Sequence, residues 1–385
     1  MNAEHPLLQL ARSLAAEFAP RSLEIEARRS LPPDIAKRMG EAGFYRMFIV
    51  ERLGGLEVPP SVAAQVFEAL AEGDAACGWI AFIGATTGLA LSRMTDAAVR
   101  EVLAAPETLI AGVFAASGKA VKVDGGFRVN GRWQWGSGSP NADWIGGGCL
   151  LIEGDRPLTN SAGVPRNHML LFRATDVNLL DTWQASGLRG TGSTDFAVRD
   201  LFVPEAHASG YLVKEVPDRP LFHFPQFGLL AYGVAAVAMG IARASIREFV
   251  RIAVEKKRYG TSVTLSNRSH SQIEVAAAEA RLRSARAFFY ETVETAWSLA
   301  LMGTPAPIEV RRDMRLAITH AVQSSVQVVD AMYTLAGGSA VFESSPLQRQ
   351  LRDVHVASQH ITVSSNTLET IGQLMLGVEA NTATL

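Results

Sequence analysis

The chain is 385 residues long, 48% hydrophobic and 19% charged, with a formal net charge of −2. That length predicts two or three domains with ample core, and the near-zero charge without a basic tail argues against a nucleic-acid or anionic-membrane surface, leaving a small molecule as the expected partner. Cys77 and Cys149 stand outside any Cys-x-x-Cys or Cys/His spacing, so they read as buried thiols in a reducing compartment and no metal is expected. The first residues, Met1-Asn2-Ala3-Glu4-His5-Pro6, show no basic region followed by an apolar run, and the most apolar stretch, 228–242, is at about 15 residues too short to span a bilayer. A cytoplasmic protein with no membrane partner is the expectation.

Residues 6–105 read as helices with short breaks. Leu7, Leu10, Leu14 and Phe18 recur every three or four residues, Pro32-Pro33 opens a segment that closes at Gly40 to Gly43, and Pro59-Pro60 opens another that ends near Gly73. Residues 77–94 are almost uncharged, which predicts a helix buried on most sides. The pattern changes near Leu109. Runs at 110–115, 120–123, 127–135, 144–152, 169–172 and 196–203 are short and apolar or alternating, with turn signals at Asp124-Gly125-Gly126 and Asn130-Gly131. Strands at this spacing predict a β-sandwich or barrel. Helical periodicity returns over 231–257, from Val275 to Leu301 and from Met314 to Leu335, stopping at Gly337-Gly338, and a last helical stretch covers about 345–377. The predicted fold class is α+β: N-terminal helices over 1–106, a central β-domain over 107–215 and a C-terminal four-helix bundle over 216–385.

One stretch carries the strongest chemical signal. Trp133, Trp135 and Trp144 crowd into 131–144, and Trp133-Gln134-Trp135 alternates as a strand does before running into Gly136-Ser137-Gly138. Glycines on either side of one hydroxyl let backbone come close to a flat ligand while the hydroxyl points at it. The plainer reading is a strand edge with a turn, the aromatics packed for their area and Ser137 satisfying a local backbone group.

The order helical, β, helical at this length resembles the acyl-CoA dehydrogenase fold, and short motifs carry the resemblance. Trp135-Gly136-Ser137-Gly138 with Ala142-Asp143 is similar to that superfamily's flavin-contacting strand. Asp181-Thr182-Trp183, Gly187-Leu188-Arg189-Gly190-Thr191-Gly192-Ser193 and Asp200-Leu201-Phe202-Val203-Pro204 resemble the second half of its β-domain. Lys257-Arg258-Tyr259-Gly260 stands where the superfamily has an Arg-x-Phe-Gly element, and Gly337-Gly338 and Arg352-Asp353 where it has a glycine pair and Arg-Asp. A dehydrogenase of this type needs a carboxylate over the flavin to take a proton alpha to the thioester carbonyl. Here Gln359-His360-Ile361 fills the place of the Glu that follows Arg-Asp, and 222–242 holds no acid where other members carry one.

The segment from Arg352 to Ile361 instead resembles the flavin-dependent monooxygenases of the same fold, and Gly187 to Ser193 is closer to that branch as well. These are oxygenase halves of two-component systems, such as 4-hydroxyphenylacetate and steroid-phenol hydroxylases, dibenzothiophene monooxygenase and indole-acetate monooxygenases. The resemblance implies that reduced flavin, FADH2 or FMNH2, arrives from a separate flavin reductase and forms with O2 a C4a-hydroperoxyflavin that oxygenates an apolar, aromatic substrate. It assigns Ser137 to the flavin N5 region and Trp135 to packing on the isoalloxazine, against a plainer reading of Trp135 as a core aromatic. His360 would donate to the peroxide or take a proton from a phenol-like substrate. Arg258 would hold the flavin phosphate, unless it is only a solvated helix end beside Glu255, Lys256 and Lys257. Gly337-Gly338 would meet a cofactor bound by a neighbouring subunit, implying a homotetramer, or only cap a helix. His355, about 140° round a helix from His360, reads as packing or interface. Several phenol hydroxylases carry a His shortly after the Gly-Trp matched by Gly78-Trp79; Thr87 takes its place as the candidate substrate residue, which leaves an indole, a heterocycle, a polycyclic aromatic or an amine open. Two alternatives stand beside this: an FAD-dependent acyl-CoA dehydrogenase with another base, Glu369 being the nearest later acid, and a catalytically inactive scaffold that keeps the fold.

Overall fold

The structure is a computed structural model, and it describes residues 4–154, 156–159, 163–257, 260–383 and 385. Six helices come first: α1 (Pro6–Phe18), α2 (Ser22–Arg28), α3 (Pro33–Glu41), α4 (Pro60–Gly73), α5 (Ala75–Thr87) and α6 (Asp96–Val102). Strands follow: β1 (Ile110–Val123), β2 (Gly126–Gly136), β3 (Trp144–Glu153), β4 (Arg156–Pro157), β5 (Asn167–Arg173), β6 (Asn178–Leu180) and β7 (Thr194–Pro204). The chain then returns to helix with α7 (Pro220–His223), α8 (Gln226–Glu255), α9 (Ser269–Leu301), α10 (Ile308–Ala336), α11 (Pro346–Ala357) and α12 (Ser365–Met375).

Proline in the first turn of α1, α3 and α4 starts those helices where an N–H would go unpaired anyway. The Asp74 side chain caps α5 by accepting from Ala76 N–H. At the middle of the helical core α4, α5 and α8 cross at close range, and glycines make the crossing possible. A Cβ on Gly78 would stand 2.7 Å from Phe67 O, one on Gly240 2.3 Å from Glu68 O, and one on Gly233 2.1 Å from Phe82 Cδ2. The apolar run at 228–242 is one part of α8, which extends for 30 residues. By length and composition α8 and residues 75–93 are long and apolar enough to cross a membrane, but most of each lies buried inside the protein.

The strands form one mixed sheet in the order β4-β3-β1-β2-β7-β6, with β5 also paired to β3. Trp133, on β2, stacks 5.1 Å from Phe196 on the adjacent β7 and also lies 5.5 Å from Phe172 on β5. In a flat sheet β5 would be three strand spacings away, roughly 14 Å. The sheet therefore curls around this indole as a partial barrel. Burying a ring of that size stabilises the domain by about 5 kcal/mol. Space for it comes from Gly118, Gly131 and Gly147, where a Cβ would sit 2.3, 2.5 and 2.7 Å from Trp133 ring atoms.

Three sequence expectations change. The runs at 110–115 and 120–123 are one strand, β1, irregular where its register against β3 shifts around Ala116. Asn130-Gly131 is not a turn but lies inside β2, because the glycine is required beneath Trp133 rather than at a reversal. The last helical stretch breaks after Ala357, and His360 lies in the break before α12 rather than on a helix. Asp124-Gly125 does form the two-residue turn of the β1–β2 hairpin, with Gly125 at φ 68°.

Candidate active site

The end of β2 turns one side chain outward and the next inward. Between the pairs Trp133–Phe196 and Gly136–Thr194, β2 carries one residue more than β7, and Trp135 takes a left-handed φ of 62° that aromatics rarely adopt. This bulge leaves the Trp135 indole 69% exposed, so it is a free flat face and not a core aromatic. Ser137 N–H then donates to Trp135 O at 2.9 Å and Gly138 N–H to Thr191 O at 2.8 Å, which brings Ser137 in to 6% exposure. The two flanking glycines have reasons within the protein. A Cβ on Gly136 would lie 2.7 Å from Phe196 Cδ1, and Gly138 sits at φ 82° above Ile80. The glycines are thus accounted for within the chain, and the bulge is what turns Trp135 outward.

Trp79, on α5, joins the two expected catalytic residues. Its Nε1–H donates to Ser137 Oγ at 3.0 Å, and its ring meets the His360 imidazole edge-on at a centroid distance of 5.8 Å. In the sequence Trp79 stands out only as part of the Gly78-Trp79 pair. The available signal was an indole N–H in an uncharged helix, where a buried donor must find an acceptor. Ser193 and Thr191 were likewise quoted in a motif without a role, yet Ser137 Oγ lies 2.7 Å from Ser193 Oγ, itself 2.6 Å from Thr191 Oγ1.

His360 caps the short turn 361–363, its Nδ1 accepting from the Thr362 N–H and lying 2.8 Å from the Thr362 hydroxyl. With Nδ1 as acceptor, the ring proton belongs on Nε2, which has no partner among the described residues. Burial, and then the charge of Arg315, push the imidazole down to about 4. At neutral pH His360 is thus a neutral N–H donor, and not the near-neutral base that an unperturbed histidine suggests. Arg315, on α10 and 4% exposed, donates from Nη2 to Thr362 O at 2.8 Å, while Nε and Nη1 find no partner among the described residues. Burial pushes its guanidinium down to about 10, which leaves it charged. The charge bearing on His360 is therefore a cation, and Gln359 and Glu369 both point to solvent.

The remaining expected residues lie elsewhere. Thr87, 1% exposed, ends α5 about two turns beyond Trp79, where a Cβ on Gly112 would come 2.9 Å from its Cγ2. Gly337 ends α10 with φ 57° and ψ −147°, a conformation reserved for glycine. Along α10 it stands roughly 30 Å from Arg315, so within one chain Gly337 and Gly338 are far from His360. Arg258 lies outside the described residues. His355 meets Asp330 at 2.8 Å on the surface.

Helices, curled sheet and helices in this order make the class plain. A family model described as acyl-CoA dehydrogenase, N-terminal domain, matches residues 3–105, and one described as acyl-CoA dehydrogenase, C-terminal domain, matches 232–365. Indole-3-acetate monooxygenase of Pseudomonas putida is 33% identical over 356 residues, 92% of this chain and 89% of that protein. The flavin-dependent monooxygenase oxygenase subunit HsaA of Mycobacterium tuberculosis is 26% identical over 361 residues, 90% and 89% of the two chains. The crystal structure of the HsaA monooxygenase matches with a TM-score of 0.87 at 24% identity, over 98% of this chain and 99% of that one. XiaF from Streptomyces sp., in complex with FADH2 and glycerol, matches with a TM-score of 0.85 at 24% identity, over 97% and 96%. The chain belongs to the flavin-dependent monooxygenases built on the acyl-CoA dehydrogenase fold. It is an oxidoreductase, and the dehydrogenase and inactive-scaffold alternatives give way to this reading.

Proposed function

We propose that the protein takes FADH2 or FMNH2 from a separate flavin reductase and inserts one oxygen atom of O2 into a flat aromatic substrate of the indole or phenol class. The observation that carries this is the junction at Trp79, which holds a buried hydroxyl and a neutral imidazole N–H together near an outward-facing indole. A reduced flavin supplies the electrons that activate O2, and the residues present fit it. Trp135 offers an uncovered ring of the right shape to stack on an isoalloxazine and keep water from it. Ser137 holds the proton of the N5 region by hydrogen bonding. His360, uncharged and proton-bearing on Nε2, donates to oxygen instead of removing a proton from carbon, which is the role a carboxylate would play in a dehydrogenase. Arg258 is assigned to the flavin phosphate and Thr87 to the wall of the substrate pocket.

Gly337 and Gly338 lead into Ser339, which lines an open groove with Glu248, Arg251, Glu255, Lys256 and Phe342. Their distance from His360 within one chain supports a flavin shared between copies in a homotetramer. The test is to load the protein anaerobically with FMNH2 or FADH2 and mix it with oxygenated buffer. An interval between oxygen uptake and the return of oxidised-flavin absorbance, longer than for free flavin and consumed productively by an indole or phenol, supports the proposal. Tightly held oxidised FAD that is bleached by an acyl-CoA thioester overturns it.

A further inference from the structure

Five groups form a line through the joint of α5, the end of β2 and the 187–193 loop. Trp79 Nε1–H donates to Ser137 Oγ at 3.0 Å, Ser137 Oγ lies 2.7 Å from Ser193 Oγ, Ser193 Oγ lies 2.6 Å from Thr191 Oγ1, and Thr191 Oγ1 lies 2.8 Å from the Leu188 carbonyl. All three hydroxyl residues are buried, so water does not arbitrate among them. The ends of the line fix its direction, because an indole N–H only donates and a carbonyl only accepts. Thr191 must give its single proton to Leu188 O, so it accepts from Ser193. Ser193 then accepts from Ser137. Ser137 is left with its proton committed, one lone pair filled by the indole and one lone pair free. Reversing any hydroxyl would press two oxygens together with no proton between them.

We propose that this relay locks Ser137 as a hydrogen-bond acceptor and thereby selects the redox state of the flavin. The inference rests on the reading above that the flavin N5 edge faces Ser137. A reduced isoalloxazine presents N5–H, a donor that satisfies the free lone pair. The oxidised ring presents a bare nitrogen lone pair at the same place, which opposes it. Thr191 and Ser193 touch no ligand in this scheme; they are positioning residues that act through Ser137, and Trp79 occupies the lone pair that would otherwise let Ser137 turn. The site holds reduced flavin and releases it once oxidised, as a protein that receives its flavin from elsewhere requires.

The experiment is anaerobic and aerobic titration of the full-length protein with FMNH2 and FMN, repeated with the FAD pair, giving a dissociation constant for each redox form. Wild type binds the reduced form at least tenfold more tightly. In Ser193→Ala the Ser137 proton loses its acceptor, and in Thr191→Val Ser193 turns back to donate to Ser137. Either change frees Ser137 to donate to oxidised N5, so the preference falls at least tenfold and the midpoint potential of the bound flavin drops by about 30 mV per tenfold. Thr191→Ser keeps the hydroxyl and keeps the wild-type preference, which separates the relay from a loss of packing. If Ser137→Ala shifts the preference but Ser193→Ala and Thr191→Val leave it at the wild-type value, the relay is overturned while the flavin placement stands. If Ser137→Ala leaves both affinities unchanged, the flavin does not face Ser137 and the proposal falls with that placement.

Discussion

The glycines inside the sheet and those that follow α8 in the helical region answer to different neighbours. At Gly118, Gly131, Gly147 and Gly148 a Cβ would fall 2.3 to 2.7 Å from the nearest atom of the same chain, three of the four against the Trp133 ring. At Gly303, Gly337, Gly338, Gly372 and Gly377 nothing lies within 4 Å. Positive φ accounts for Gly303, Gly337 and Gly377, but Gly338 and Gly372 have neither crowding nor backbone conformation to explain them. Gly372 even sits inside α12, where glycine weakens a helix relative to alanine. Nearby Met375 and Leu376 are exposed as well. The sheet thus accounts for its glycines within its own chain, whereas nothing in the same chain accounts for Gly338 and Gly372 at the far end of the helical region.

The largest effect is expected in the sheet. Gly118→Ala should cost about 3 kcal/mol, since its Cβ meets both Trp133 and Cys149 in a core with no slack. Chemical denaturation measures it, and a loss below about 1 kcal/mol would show that the indole is not the reason for the glycine. Ser137→Ala comes next. It should shorten the interval before flavin reoxidation at least tenfold, about 1.4 kcal/mol in barrier, as followed by rapid mixing; an unchanged interval removes Ser137 from the chemistry.

On the open side, Gly372→Ala should raise the stability of the dilute, dissociated chain by about 1 kcal/mol while weakening self-association several-fold. Unfolding at low concentration and sedimentation velocity read the two effects separately. Association that stays intact would mean that α12 faces solvent.

The smallest effect is electrostatic and sets the break after α11 against its middle. Burial, with Asp74 nearby, pushes Asp353 up to about 7, so its contribution to stability is full below its ordinary 3.8 and is lost as pH rises through 7. His360, pushed down from 6.5 to about 4, contributes fully above 6.5 and loses that contribution as pH falls through 4. Between pH 4 and 6.5 the two slopes oppose. Asp353→Asn, whose side-chain oxygen still accepts from Leu188 N–H, should leave the His360 slope alone, so that Tm rises with pH over that window by a few degrees more than in wild type. Parallel Tm profiles would contradict the assignment.

Much of this was legible in the sequence where a residue's reason is local. Asp124-Gly125 marks its own turn, the proline pairs mark their own helix starts, and the uncharged run ending at Met94 marks its own burial. Ser137 and His360 stand out by motif, and the structure brings both to Trp79. What joins them does not, because Trp79 and Ser137 are 58 positions apart and a hydrogen bond between them leaves no periodic trace. Gly131 was misplaced for a different reason: Asn-Gly reads as a turn, whereas here the glycine clears room for a ring two residues on, on the same face of β2. The outward flip of Trp135 depends on one extra residue measured against β7, a strand roughly sixty positions later. The low pKa of His360 comes first from burial and then from Arg315, and no spacing rule connects either to it.

The clasp between the 187–193 loop and α11 also dictates a schedule of synthesis. Leu188 N–H donates to Asp353 Oδ1 at 2.6 Å across 165 positions, Arg352 Nη1 donates to Ser186 O at 2.6 Å, and a Cβ on Gly187 would stand 2.2 Å from Arg352 O. A ribosome delivers Trp79, Ser137 and Ser193 well before it delivers Asp353. Until that carboxylate emerges, the Leu188 N–H has no acceptor, and local bonds such as those from Thr191 N–H and Trp183 Nε1–H to its carbonyl hold the loop. The clasp that ties this loop to α11 is therefore among the last tertiary contacts the nascent chain can make. A chain cut short before α11 carries the whole line of hydroxyls from Ser137 to Thr191 and lacks the clasp that joins it to the helices.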